Sequence, residues 1–241
     1  MKRHIPNFIT SLNLASGFIA ILFAAGGNIV TASWFILAAM IFDFTDGFSA
    51  RLLKSYSAMG KELDSLADVV SLGIAPALII YHLIAKSILV NPQADFGTYN
   101  LREGAILLLT VIMPVCAALR LAKFNIDETQ AMTFKGLPTP ANALAVISIP
   151  IAIHYSPNSV INGIAGSAMT LAILTVALSL LMVTRLPLLS MKTSHLKFRG
   201  NEGRYALLIM IVAVFIFLGY AAFPLIIPLY IIASLISLAF R

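Results

Sequence analysis

Long apolar runs constrain this chain most, because they match the length needed to cross a lipid bilayer. A hydrocarbon core about 30 Å thick takes roughly 20 helical residues, and hydrophobic residues make up 60% of the chain. Charged residues make up 11%, against about 25% in soluble domains, which excludes a large soluble domain. We therefore predict an all-α polytopic membrane bundle of about eight spans. The predicted spans are residues 8–26, 30–53, 62–85, 101–123, 139–155, 164–184, 204–219 and 222–240.

The distribution of basic residues predicts how the bundle is oriented. The start of the chain resembles a signal peptide, but residues 8–25 lack a persuasive cleavage site, so we predict a retained first helix. Lysine and arginine concentrate in cytoplasmic connections, and both termini in the cytoplasm leave only Lys86 and Arg102 outside. The net charge of +6 fits this topology and also favours anionic lipid and nucleotide. The basic residues assigned to the cytoplasmic side are Lys2, Arg3, Arg51, Lys54, Lys61, Arg120, Lys123, Lys135, Arg185, Lys192, Lys197, Arg199, Arg204 and Arg241.

Four aspartates fall within predicted spans, where charge is costly. Asp43 and Asp46 lie three residues apart near the end of the second span, and Asp64 and Asp68 lie four apart at the start of the third. These spacings put each pair on one helix face. A carboxylate at the centre of a membrane helix costs roughly 2.5 to 3.5 kcal/mol on insertion scales, so such groups usually mark a functional site. A loop over residues 52–61 would join the spans as a hairpin and bring the four carboxylates together.

Three interpretations compete for these carboxylates. Structural ion pairing would need more compensation than Arg51 and Lys61 provide. A proton or cation pathway would make the chain a transporter. A site for a hard cation would use oxygen ligands alone, which suits Mg²⁺ or Mn²⁺ bound to substrate phosphates.

The acidic residues form part of a longer motif that resembles the CDP-alcohol phosphotransferase family. The pattern D-x2-D-G-x2-A-R-x8-G-x3-D-x3-D is matched at every defined position from Asp43 to Asp68. The resemblance implies a six-helix core, a dinuclear Mg²⁺ or Mn²⁺ centre, a homodimer, CDP-diacylglycerol as donor and CMP as product. It makes Asp43, Asp46 and Asp64 metal ligands, and Asp68 both a ligand and the general base. It divides the chain into a catalytic core over residues 1–190 and a basic loop with an appended helix pair over 191–241.

Small and polar residues around the motif are the predicted nucleotide contacts. Glycine lets a nucleotide or a neighbouring backbone approach closely, and arginine can contact a diphosphate. The first helix adds polar side chains, Asn13 among them, that could offer hydrogen bonds to the nucleotide or to the loop between the second and third spans. The predicted nucleotide and diphosphate contacts are Gly47, Ala50, Arg51, Gly60, Asn7 and Thr10.

The flanking segments resemble members of the family that use L-serine as acceptor. They are residues 6–17, 63–76, 119–125 and 134–142. Arg120 and Lys123, three residues apart, could pair with the serine carboxylate. A phosphate-bearing acceptor such as glycerol phosphate or inositol phosphate would use the same cations and stays an alternative.

The charge distribution and the resemblance together lead to expectations about where and how the reaction takes place. We expect a multi-pass protein of the cell membrane with its active site facing the cytoplasm. The reaction would be a single sequential displacement that releases CMP. The basic loop over residues 192–204 would lie against anionic membrane lipids, and no nucleic-acid partner is expected.

Overall fold

The computed structural model describes residues 4–55, 57–88, 96–126, 134–156, 159–188 and 202–239, and these form helices joined by short turns. The one departure from a helical fold in those ranges is an antiparallel ladder of two two-residue strands. In chain order the elements are α1 (His4–Ala25), α2 (Ile29–Leu52), α3 (Ala58–Asp68), a π-helix (Val69–Ile74), α4 (Ala75–Ile88), a 3₁₀ turn (Phe96–Thr98), α5 (Leu101–Leu108), a 3₁₀ turn (Leu109–Val111), α6 (Ile112–Ile126), β1 (Phe134–Lys135), α7 (Thr139–Tyr155), α8 (Ser159–Ala165), α9 (Ala168–Val183), β2 (Pro187–Leu188), α10 (Glu202–Leu218), a 3₁₀ turn (Gly219–Leu225) and α11 (Ile226–Ala239).

Five helical segments in the described part of the chain are long and apolar enough to cross a membrane, and α7 and α9 are shorter apolar helices. The last of the five, Leu207–Ile236, is interrupted by the 3₁₀ turn at Gly219, whose φ of 55° is in the left-handed region. Because α10 and α11 pack against each other, this segment forms a hairpin of two helices. The predicted polytopic helical membrane fold is confirmed. The five long segments are His4–Ala25, Ile29–Leu52, Ala58–Ile88, Leu101–Ile126 and Leu207–Ile236.

The third span changes helix type directly after Asp68. Val69–Ile74 is π-helical, and Pro76, which follows it, has no N–H to donate to the carbonyl four residues earlier. This wider segment is packed closely on two sides. A Cβ added at Gly17 of α1 would lie 2.5 Å from the Cα of Ser71, and one added at Gly73 would lie 3.1 Å from the Cβ of Ala117 in α6. The two glycines therefore let α1 and α6 pack closely against the π-helix that follows Asp68.

The hydrophobic core lies around α4 and α7, which are buried along most of their length. Helices α1 and α2 form an antiparallel pair against it. The C-terminal hairpin contributes Leu207, Ile227 and Ala233 to the same core. The hairpin is therefore packed as part of the bundle.

A short ladder fixes where α7 begins. Strand β1 pairs antiparallel with β2, with Phe134 opposite Leu188. Gly136 follows with a φ of 79°, and a Cβ there would lie 2.7 Å from the carbonyl oxygens of Met182 and Thr184. This turn against the end of α9 places Pro138 before the first residue of α7.

Some boundaries differ from those predicted. The loop between the acidic spans was predicted over residues 52–61, but α2 continues to Leu52 and α3 begins at Ala58. The Ser57 side chain accepts a hydrogen bond from the Gly60 N–H at 3.0 Å and so caps α3. The predicted basic loop falls mostly on residues 189–201, outside the described residues, as do Lys2, Arg3 and Arg241.

Candidate active site

Three of the four aspartates come together on the hairpin of α2 and α3. Carboxylate oxygens of Asp43, Asp64 and Asp68 all lie within 4.8 Å of one another. The Asp43 and Asp64 side chains are within hydrogen-bonding range, and Asp68 is buried. The helical spacings of three and four residues produce this arrangement, because both acidic faces of the hairpin turn toward each other.

The first helix supplies hydrogen-bond donors to two of the four aspartates. The Thr10 hydroxyl donates to Asp46 Oδ2 at 2.5 Å, and the Asn13 amide donates from Nδ2 to Asp68 Oδ1 at 3.0 Å. Thr10 and Asn13 lie three residues apart on the buried face of α1. Asp46 does not belong to the close group of three, although it interacts electrostatically with Asp64.

The acidic group fits a divalent cation. Among the described residues, no lysine or arginine forms an ion pair with any of the four aspartates, so structural ion pairing does not explain them. Asp64 Oδ1 is buried and has no hydrogen-bond partner. Buried carboxylates of like charge repel each other strongly where the dielectric is low. Oxygen donors without cysteine or histidine suit a hard cation such as Mg²⁺ or Mn²⁺, so Asp43, Asp64 and Asp68 could hold one.

The predicted nucleotide contacts differ in how much space and solvent surrounds them. A Cβ at Gly47 would meet no atom within 4 Å, whereas one at Gly60 would lie 3.0 Å from Asn7 Oδ1. Gly60 therefore lets the starts of α3 and α1 approach, and Gly47 faces open space. Arg51 is exposed and donates from Nε to the Gly47 carbonyl at 3.0 Å. Ala50 is partly exposed one residue before it.

The two predicted acceptor-binding cations have different surroundings. Arg120 donates from Nη1 to Thr139 Oγ1 at 2.8 Å and interacts electrostatically with Asp68. Lys123 is exposed. The C-terminal helix α11 also reaches this side of the bundle, because buried Tyr230 interacts electrostatically with Arg120.

Two contacts of the site were not predicted from the sequence. Asn13 was one of several polar residues on the first helix, and its pairing with Asp68 was not predicted. A signal existed, because Pro6, Thr10 and Asn13 recur every three or four residues and mark one face of the helix. Thr139 was part of a turn segment, and nothing local indicates that Arg120 would bind it.

A polytopic helical bundle with a group of partly buried carboxylates on one hairpin defines an integral membrane protein with an acidic site that could hold a metal ion. The family model described as CDP-alcohol phosphatidyltransferase matches residues 3–183. The chain belongs to this family, whose members are enzymes, and the transporter interpretation is therefore wrong. The matched residues include the acidic hairpin, Arg120 and Thr139, and they end before the C-terminal hairpin.

Curated relatives point to one group within the family. The chain is 34% identical over 200 residues to CDP-diacylglycerol–serine O-phosphatidyltransferase of Bacillus subtilis, covering 83% of this chain and 95% of that protein. It is 31% identical over 182 residues to archaetidylserine synthase of Methanothermobacter thermautotrophicus, covering 75% of this chain and 67% of that protein. It is 34% identical over 167 residues to CDP-diacylglycerol–serine O-phosphatidyltransferase of Saccharomyces cerevisiae, covering 63% of this chain and 55% of that protein.

Proposed function

We propose that this enzyme transfers a phosphatidyl group from CDP-diacylglycerol to the hydroxyl of L-serine and releases CMP. The observation that carries the proposal is the group formed by Asp43, Asp64 and Asp68, with oxygens within 4.8 Å of one another. The names of the bacterial, archaeal and yeast relatives have serine in common, which supports serine as the acceptor here.

Asp68 is the proposed general base. Its Oδ1 accepts the Asn13 amide hydrogen bond at 3.0 Å, which leaves Oδ2 to take the proton of the serine hydroxyl. The serine oxygen then forms a bond to the donor phosphorus as the bond from phosphorus to the CMP oxygen breaks. Proton removal by a positioned side chain typically contributes roughly 10² to 10⁴ in rate.

The other site residues hold the donor. Asp43, Asp46, Asp64 and Asp68 are the proposed residues that would hold two Mg²⁺ or Mn²⁺ ions, and these ions would supply positive charge against the donor diphosphate. Gly47 lies beside open space that leaves room for the nucleotide.

Further contacts complete the donor site in this proposal. Arg51 turns from the Gly47 carbonyl to the diphosphate, and Ala50 keeps the approach to it open. Asn7, Thr10 and Gly60 shape the wall formed by α1 and α3.

Arg120 is the proposed partner of the serine carboxylate, since it lies within electrostatic range of Asp68. Lys123, exposed at the end of α6, is proposed to attract the acceptor to the site. Serine, the alternative acceptors and CMP are water-soluble, and the basic residues of the acidic hairpin favour the cytoplasmic side. We therefore place the active site at the cytoplasmic face of the cell membrane.

Two further proposals concern the organisation of the chain. Residues 1–190 form the catalytic core and 191–241 an appended basic loop and hairpin, which the family match over 3–183 supports. The family resemblance supports a homodimer. Mass measurement of the protein in lipid nanodiscs distinguishes a dimer from a monomer.

The test is CMP release by the purified protein in detergent with CDP-diacylglycerol and Mn²⁺ or Mg²⁺. L-serine, glycerol-3-phosphate and inositol phosphate are supplied separately, with a sample that lacks acceptor. Selective stimulation by serine is expected. Stimulation by a phosphate-bearing alcohol alone would overturn the serine assignment, and a phosphatidyl-enzyme trapped without acceptor would overturn the sequential displacement.

A further inference from the structure

Three residues after Thr139, the partner of Arg120, α7 carries a buried polar side chain that no described residue satisfies. Asn142 of α7 is 0% exposed, and neither its Oδ1 nor its Nδ2 has a hydrogen-bond partner. Buried amides are almost always hydrogen-bonded, and an unmatched one destabilises the fold. Such an amide needs partners that the described residues do not supply, and a ligand with both a donor and an acceptor could supply them.

Thr139 and Arg120 place that amide in a defined site. Thr139 and Asn142 lie three residues apart, on one face of α7. Thr139 is fully buried, and its Oγ1 accepts the hydrogen bond from Arg120 Nη1 at 2.8 Å. Arg120 Nε is also buried without a partner. Two donor atoms, Arg120 Nε on α6 and Asn142 Nδ2 on α7, thus have no hydrogen-bond partner. One acceptor, Asn142 Oδ1, also has none.

The charge of this site distinguishes among acceptor classes. Among the lysine and arginine side chains that the structure describes, Arg120 is the one that is not exposed. A phosphate monoester carries a charge of about −2 near neutral pH, and the nearby aspartates would repel it. An amino acid offers a carboxylate that a guanidinium binds bidentately and an ammonium that can donate a hydrogen bond to Asn142 Oδ1.

We propose that Arg120, Thr139 and Asn142 form the subsite for the α-carboxylate and α-ammonium of an amino-acid acceptor. This inference rests on the proposed function and names residues that determine its specificity. Arg120 and Asn142 Nδ2 bind the carboxylate, Asn142 Oδ1 accepts from the ammonium, and Thr139 holds the guanidinium. The hydroxyl of the bound amino acid then lies on the side of the site that Asp68 occupies.

The test compares Asn142→Ala and Thr139→Val with Ser148→Ala, using CDP-diacylglycerol and Mn²⁺ while L-serine is titrated. Ser148 is a matched control, because it is buried on the same helix and already donates to the Ala145 carbonyl. Loss of hydrogen bonds to charged groups should raise the KM for serine roughly tenfold to a hundredfold in the first two variants. The KM for CDP-diacylglycerol and the kcat should stay within about threefold of wild type, and Ser148→Ala should leave both KM values unchanged.

A second readout does not depend on turnover. L-serine should raise the melting temperature of the wild-type protein in the presence of CDP and Mn²⁺, and this rise should be lost in Asn142→Ala. Ethanolamine, which lacks the carboxylate, should give a smaller rise than serine with the wild type. Its effect should equal that of serine in the variant.

The outcomes separate the subsite from the proposed function. If the wild-type protein uses serine while both variants keep its KM for serine, or lose kcat with that KM unchanged, the subsite is refuted and the function stands. If the wild-type protein uses only a phosphate-bearing alcohol, the proposed function is refuted together with the subsite.

Discussion

Replacing Asn13 by leucine should slow catalysis while the donor and acceptor still bind. Leucine has nearly the shape of asparagine and removes the amide that donates to Asp68 at 3.0 Å. Asn13 and Asp68 are 0% and 6% exposed, so solvent does not replace the lost donor. A hydrogen bond to a charged group contributes about 1.5 to 3 kcal/mol, and about 1.4 kcal/mol corresponds to a factor of ten. The kcat should therefore fall roughly tenfold to a hundredfold.

The assay is steady-state CMP release with both substrates varied in turn. Asn13 acts through Asp68, so both KM values should stay within about threefold of wild type. Ser16→Ala, a buried position one turn further along α1, is the matched control and should retain the wild-type kcat. A kcat for Asn13→Leu within about threefold of wild type, or an equal loss in Ser16→Ala, would refute the positioning role of Asn13.

Three further predictions follow from charge and packing. Asp64→Asn should abolish activity, yet raise the melting temperature of the protein in EDTA, because it removes one of several buried like charges; a lower melting temperature would contradict the repulsion. Gly17→Val should destabilise the bundle by about 1 to 3 kcal/mol, since even a Cβ would lie 2.5 Å from Ser71 Cα, and thermal melting should show no such loss for Gly163→Ala, which meets nothing within 4 Å. Arg51→Ala should raise the KM for CDP-diacylglycerol roughly tenfold or more with an unchanged melting temperature, because Arg51 is exposed; an unchanged KM would remove it from the diphosphate site.

The acidic hairpin could be predicted from sequence because its geometry is local. The spacings between Asp43 and Asp46 and between Asp64 and Asp68 fix which helix face each carboxylate occupies. A short connection then brings the two faces together. Apolar runs of sufficient length gave the spans for a similarly local reason, because each helix satisfies its own backbone in lipid.

Contacts between distant parts of the chain could not be predicted in the same way. Asn13 and Asp68 are separated by 55 positions, and their pairing depends on how closely α1 approaches the π-helix. That approach depends on the absence of a side chain at Gly17, which has no distinctive local pattern. The hydrogen bond from Arg120 to Thr139 likewise depends on the turn at Gly136, which sets the start of α7.

The boundaries that differed have a local physical cause. The predicted loop over residues 52–61 included Ala58 and Gly60, which are poor markers of a helix start. Ser57 caps the helix with its side chain, and serine is a preferred residue at that position. Ser57 is therefore the local sequence signal for the start of α3.

Formation of the lipid product would reveal the transfer of the phosphatidyl group to serine itself. The wild-type protein and Asp68→Asn, each in nanodiscs with CDP-diacylglycerol, isotopically labelled L-serine and Mn²⁺, would be compared by mass spectrometry of the extracted lipid. The wild-type protein should form labelled phosphatidylserine in amounts equal to the CMP released, and none after EDTA treatment. Asp68→Asn should lose at least about a hundredfold of this product. Labelled product from Asp68→Asn at the wild-type rate, or CMP release without labelled lipid in the wild type, would contradict these expectations.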